Sequence, residues 1–199
     1  MKNLLIVFIK NAQLGKVKTR LAATIGDARA LKVYHWLLRH TLAITKDIQC
    51  DKVVYYSDFI VSADGWHSSG FSQALQSGTD LGEKMLNAFR DGFSKQYSSI
   101  VIIGSDCNEL QGEHLTNAFN ALNNNCCIVI GPAYDGGYYL LGMTRLHEPL
   151  FRNKLWSSAS VYKDTIDDIT SLQLPFHILE MLHDIDNEDD LRESSINLS

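Results

Sequence analysis

The chain of 199 residues is 45% hydrophobic and 21% charged, enough apolar surface for a sizeable core and a composition that excludes a disordered polymer. Its formal net charge of -5 excludes the broadly basic face of a general nucleic-acid binder, although a local basic loop can still hold phosphates. The four cysteines form no CxxC pair and are read as reduced thiols, and the N-terminal apolar run stops at Lys10, too early for a membrane span, so a cytoplasmic location without membrane partners is expected.

Leu4 to Ile9 is a continuous apolar run of the kind that forms a parallel strand covered on both faces. Leu31, Tyr34, Leu38 and Leu42 follow at helical spacing, and Lys52 to Tyr56 reads as a second strand. A helix with Leu81, Met85, Ala88 and Phe89 on one side is predicted next, with Asp80 as its cap and Glu83 three residues on. Ile100 to Ile103 is a third strand, Leu115, Ala118, Phe119 and Leu122 mark a third helix, and Ile128 to Ile130 a further strand. Tyr138 to Met143 adds an aromatic-rich strand, and Phe176 to Leu182 a last one before the acidic run from Asp184 to Asp190. Strands alternating with helices give a single α/β domain over 1–199 with a mostly parallel sheet, and the stretches 58–75 and 144–165 read as irregular.

Ligands of open α/β sheets bind outside the carboxyl ends of the strands, and the unusual residues of this chain fall there four times. After the first strand, Lys10, Lys16, Lys18 and Arg20 surround Gly15, a concentration of cations suited to a di- or triphosphate; the GxxxxGK[ST] phosphate loop is absent. After Ile103, Gly104-Ser105-Asp106 puts a carboxylate at a strand end, either a helix cap or a metal ligand. Asp184 and Asp186 follow the last strand: one is expected to join Asp106 at a magnesium and the other to cap a short helix at Asp189 to Leu191. Between Gly131 and Gly137, Pro132 stiffens a loop in which Gly136 and Gly137 permit close approach of a ligand. Asp135 there can bind metal, accept from a substrate hydroxyl or close an Asx turn. Trp156 is read as lining an acceptor pocket or packing in the core, and Cys107 as an ordinary thiol.

Together these pieces resemble the bacterial glycosyltransferase-like family of the nucleotide-diphospho-sugar transferase (GT-A-like) superfamily, which is similar to the molybdenum-cofactor and phospholactate guanylyltransferases. The resemblance runs from Leu4 to Leu191. It rests on Lys10 with Gly15 to Leu21, Gln76 with Asp80 to Met85, Gly104 to Cys107, the glycine-rich Gly131 to Gly142, Trp156-Ser157-Ser158 and Asp184 to Leu191. It implies a three-layer α/β/α sandwich binding a nucleotide across the first half of the sheet. Asp106 is then the principal Mg2+ (or Mn2+) ligand, helped by Asp184 or Asp186, while Lys18 and Arg20 hold the pyrophosphate. The nucleotide site draws on Lys10, Gly15, Gln76, Asp80, Gly82 and Ser105, with Gln76 to Gly82 near the base or ribose. The acceptor side falls to Asp135, Gly136, Gly137 and Trp156. The chain departs from the family at Asn11-Ala12 and at Asn108, where relatives usually carry proline.

The expected activity is sugar transfer from a nucleotide-sugar to a small acceptor. Its rival is nucleotidyl transfer from a nucleoside triphosphate to a phosphorylated small molecule with release of pyrophosphate. A non-catalytic nucleotide-binding paralogue is the third reading, disfavoured by retention of the aspartates and both basic positions.

Overall fold

The computed structural model describes residues 2–156, 158–194 and 196; Ser157 of the tryptophan motif lies outside them. Seven strands, β1 (Asn3–Ile9), β2 (Asp51–Tyr56), β3 (Ser72–Leu75), β4 (Ser99–Ile103), β5 (Ile128–Pro132), β6 (Tyr138–Met143) and β7 (Phe176–Ile178), form one sheet in the order β3-β2-β1-β4-β6-β5-β7. All neighbours pair parallel except β6, which runs antiparallel between β4 and β5. The helices are α1 (Thr19–Ile25), α2 (Asp27–Thr45), α3 (Gly65–Ser68), α4 (Leu81–Ser94), α5 (Gly112–Asn123), α6 (Val161–Ser171) and α7 (Glu188–Glu193), with a 3-10 turn at Glu148–Phe151.

Alternate residues of each central strand enter opposite cores, as the two-residue repeat of a strand requires. Leu5, Val7, Ile9, Val101 and Ile103 pack with Leu115, Ala118, Phe119 and Leu122 of α5 and with Trp66 and Phe71. Leu4, Ile6, Phe8, Ile100 and Ile102 face Met85, Leu86, Ala88 and Phe89 of α4, with Phe151 and Ile169 beyond. The result is a three-layer α/β/α sandwich, as expected. Burying each such side chain stabilises the fold by about 1.5–3 kcal/mol, so two full cores explain why the central strands carry no polar alternation.

Several elements differ from the sequence reading. The buried stripe of α2 is Ala30, Val33, Tyr34, Leu37 and Thr41, one position out of phase with the expected leucines, because this helix packs under α1 and α7 as well as on the sheet. The strand expected over Phe176 to Leu182 ends at Ile178, and only an isolated bridge between Ala133 and Leu182 continues its path. Strand β3 and helix α6 occupy the stretches that read as irregular; β3 is a short edge strand whose Gln73 and exposed Leu75 hide its pattern.

The strand order sets the site. From β1 the chain winds outward to β2 and β3, then crosses back to place β4 on the other side of β1. The loops leaving β1 and β4 therefore diverge around a crevice, the topological switch point at which open α/β sheets bind ligands.

Candidate active site

The crevice is a cavity of ≈ 440 Å³ over the C-terminal ends of β1 and β4, lined by residues from every strand-end loop singled out in the sequence. Two grooves elsewhere are larger, but the ≈ 640 Å³ groove beside Glu148 and Asp168 is on the outer face of α6, away from the strand ends. The other lies against the edge strand β7.

Tyr34 fixes the floor of the cavity. Its buried phenol accepts from the Lys10 amide at 2.8 Å, and its oxygen also lies 3.0 Å from the Lys10 carbonyl and 3.3 Å from Ser105 Oγ, joining the β1 and β4 loops. Burial raises its pKa, so it stays a neutral hydroxyl. Asn11 ties the β1 loop to the one after β2. Its carboxamide oxygen accepts from the Asp58 amide at 2.9 Å and Ser57 Oγ at 3.2 Å, while its nitrogen donates to the Phe59 carbonyl at 2.8 Å. Asn11 is thus a buried hydrogen-bonding hub.

Two carboxylates, Asp106 and Asp186, pair with the Lys18 cation, and a third, Asp184, lies near them. Asp106 ends β4, and the segment 184–186 is pinned beside it by an antiparallel bridge between Cys107 and Asp184 and by the Ile185 amide donating to the Asp106 carbonyl at 3.1 Å. Ile185 is the anchor, 1% exposed against Leu21 and Leu191. Its neighbours, two apart on extended backbone, share a face: both line the cavity, and Asp186 reaches Lys18. Neither caps α7, contrary to the division of roles expected from the sequence: the cap is Asn187, which accepts from the Asp189 and Asp190 amides and leaves both aspartates to the cavity. Lys18 Nζ lies 3.0 Å from Asp106 Oδ1 and 3.6 Å from Asp186 Oδ1, and Arg20 Nη1 is 3.2 Å from Asp186 Oδ2. Burial works against the Lys18 charge, but the Asp106 and Asp186 carboxylates outweigh it and raise its pKa. Burial, reinforced by the Asp106 charge, pushes the Asp184 carboxyl up to about 7, and its Oδ1 is buried with no hydrogen-bond partner.

These hard oxygen donors suit magnesium or manganese, and the orphaned Asp184 oxygen is a group that a bound cation would satisfy. Among the described residues, no three His, Cys, Asp or Glu side chains are grouped closely enough to hold a metal ion between them, whereas magnesium needs only one or two protein carboxylates. Cys107 is no nucleophile, since burial holds its thiol well above the ordinary cysteine pKa.

The remaining predicted residues divide. Lys10, Arg20, Gln76, Ser105, Asp135, Gly137 and Trp156 line the cavity with Asp106, Asp184 and Asp186. Gln76 donates to the Ile9 and Tyr55 carbonyls, locking the strand ends with its amide. Asp135 accepts from the Gly137 amide at 2.8 Å in an Asx turn. Gly15, Lys18, Asp80, Gly82 and Gly136 are not on the cavity wall. Asp80 caps α4 by accepting from the Glu83 amide, and Gly82 is flush beneath the indole of Trp156, where a Cβ would come within 2.2 Å of the ring. Sequence reasoning missed Tyr34 and Asn11 as site-builders and Lys84, whose side chain lines the cavity from the first turn of α4. A phenol in a leucine stripe was the available signal for Tyr34, and the departure at Asn11-Ala12 the one for Asn11.

A family model described as "uncharacterized protein conserved in bacteria (DUF2064)" matches residues 40–158. No curated protein sequence matches the chain. Among solved structures, a protein from Desulfovibrio desulfuricans G20 described provisionally as a nucleotide-diphospho-sugar transferase superposes with a TM-score of 0.87 and 29% identity, covering 96% of this chain and 85% of that one. The inositol-1-phosphate CTP transferase from T. maritima gives a TM-score of 0.57 at 14% identity over 96% and 92%. Rv0371C of Mycobacterium tuberculosis H37Rv, solved as a manganese complex, gives 0.52 at 13% over 96% and 97%. The last two are similar in fold.

Proposed function

The chain belongs to the bacterial DUF2064 family and has the nucleotide-diphospho-sugar transferase fold, and we propose that it is a divalent-metal-dependent transferase moving a sugar from a nucleotide-sugar to a small acceptor. The observation that carries the reading is the meeting of Asp106, Asp184 and Asp186 with Lys18 and Arg20 at the switch point of the sheet. The 29% identity to the Desulfovibrio protein over nearly the whole chain supports a transferase of the nucleotide-diphospho-sugar kind.

In the proposed reaction the acceptor hydroxyl oxygen bonds to the anomeric carbon as the bond from that carbon to the phosphate oxygen breaks. The electron pair leaves with the nucleoside diphosphate. Asp135, on the cavity wall, receives the hydroxyl proton; its Asx turn with Gly137 fixes the carboxylate in place beforehand. Lys10 and Arg20 face the charge that develops on the leaving diphosphate. A divalent cation held by Asp106 with Asp184 or Asp186 would supply further neutralisation of that charge. The Trp156 indole, braced on Gly82, shields one wall from water and gives the acceptor an apolar surface.

The cation-rich loop around Lys10 and Arg20 favours a second reading, attack of a phosphorylated acceptor on the α-phosphate of a nucleoside triphosphate. Product analysis separates the two. Release of a nucleoside diphosphate from nucleotide-sugars supports sugar transfer, and release of pyrophosphate from triphosphates with sugar phosphates overturns it.

A further inference from the structure

The Lys18 side chain does something that its place at a helix start does not require. Its backbone is left-handed, with φ 49 and ψ 45, and its side chain makes no capping hydrogen bond. The chain instead runs inward until 5% of the side chain remains exposed, and the ammonium stops 3.0 Å from Asp106 Oδ1 and 3.6 Å from Asp186 Oδ1. The Asp186 contact is too long for a hydrogen bond and the Asp106 contact is poorly aligned for one, while Asp184 Oδ1 nearby is buried with no partner. An ammonium carries three directional donors, and here it is held mainly by charge. A side chain fixed electrostatically and free directionally is one that a more highly charged cation can displace.

Building on the metal-dependent reading above, we propose that the Lys18 ammonium and the divalent cation compete for the carboxylates of Asp106 and Asp186, so that cation entry releases Lys18 into the cavity toward the polyphosphate of the nucleotide. The lysine is then an internal counter-ion that keeps the carboxylates assembled before the ligands arrive. Two consequences follow from the exchange. The divalent cation binds weakly by itself, because it must expel a positive charge from its own ligands. Cation and nucleotide each strengthen the binding of the other, because a polyphosphate accepts the expelled ammonium, and such coupling is reciprocal.

The test measures Mn2+ alone, by the electron paramagnetic resonance signal of the free ion, against the wild-type chain, Lys18→Met and Asp106→Asn. Removing a unit charge within 4 Å of the ligands is expected to tighten Mn2+ binding by Lys18→Met at least about tenfold, while Asp106→Asn weakens it. Equal or weaker binding by Lys18→Met, with Asp106→Asn still impaired, overturns the exchange and leaves the metal site standing. Undiminished binding by Asp106→Asn overturns the metal site itself. Should Lys18→Met not fold, amine acylation of the wild-type chain mapped by mass spectrometry decides the question. Labelling of Lys18 is expected to rise on addition of Mn2+; a Lys18 equally protected with and without the ion refutes its release.

Discussion

Gly136→Ala is expected to damage the fold more than any simple glycine rule implies. The residue sits at φ +87, where an L side chain costs about 1–2 kcal/mol. A Cβ built there also falls 2.1 Å from the Ala159 carbonyl oxygen and 2.7 Å from its carbonyl carbon. Those atoms are backbone, and they cannot swing aside: the Tyr162 amide donates to the Gly136 carbonyl at 2.9 Å, and the Gly136 amide donates to the Ala133 carbonyl at 3.1 Å, so the loop is tied both to the start of α6 and to the end of β5. Overpacking of this kind adds about 1–3 kcal/mol, for a total of about 2–5 kcal/mol. Gly70 supplies the control, because its φ is +83 and nothing lies within 4 Å of the position a Cβ would take, leaving only the conformational cost of about 1–2 kcal/mol for Gly70→Ala. Urea denaturation of both variants measures the difference. The reasoning fails if Gly136→Ala unfolds at the same midpoint as Gly70→Ala.

Asn11→Ala is expected to cost about 2–3 kcal/mol, because it strands the Asp58 amide and the Phe59 carbonyl. Hydrogen exchange of the 57–59 amides should speed up in this variant, and unchanged protection there would show that Asn11 is not the staple. Asp184 gives a pH dependence. Its folded pKa of about 7 stands above the ordinary aspartate value of 3.8, so across that window the folded state retains a proton that the unfolded chain has lost. Stability in chelator therefore falls as pH rises from about 4 to about 7, and Asp184→Asn should flatten that part of the profile. Parallel stability profiles for the two proteins would contradict the assignment.

The chain reveals its fold more readily than its site. Strands β1 and β4 were legible because burial on both faces removes polar residues from them, and α5 because its apolar stripe touches one core only. Strand β3 was not, since a four-residue edge strand with an exposed end has no periodicity to read. In α2 the phase failed because three packing partners, the sheet, α1 and α7, spread the apolar positions around the helix. The aspartates were legible from their places at strand ends. Their meeting near Lys18 was not, because it depends on Ile185 being buried beside β4, a contact between segments about eighty residues apart. The same holds for Asn11, whose partners at 57–59 lie beyond two helices and a strand.

The Asp106 carboxylate is expected to make nucleotide binding in this cavity depend on a divalent cation. Thermal unfolding of wild-type and Asp106→Asn proteins with a panel of nucleotide-sugars and nucleoside triphosphates, with Mg2+ and with chelator, tests it most directly. A ligand at about a hundred times its Kd stabilises the folded state by about 2.7 kcal/mol. Wild type with nucleotide and Mg2+ together is expected to gain a stabilisation of that order and to lose it both in chelator and in Asp106→Asn. A nucleotide that stabilises Asp106→Asn as strongly as wild type, with equal dependence on Mg2+, would contradict it.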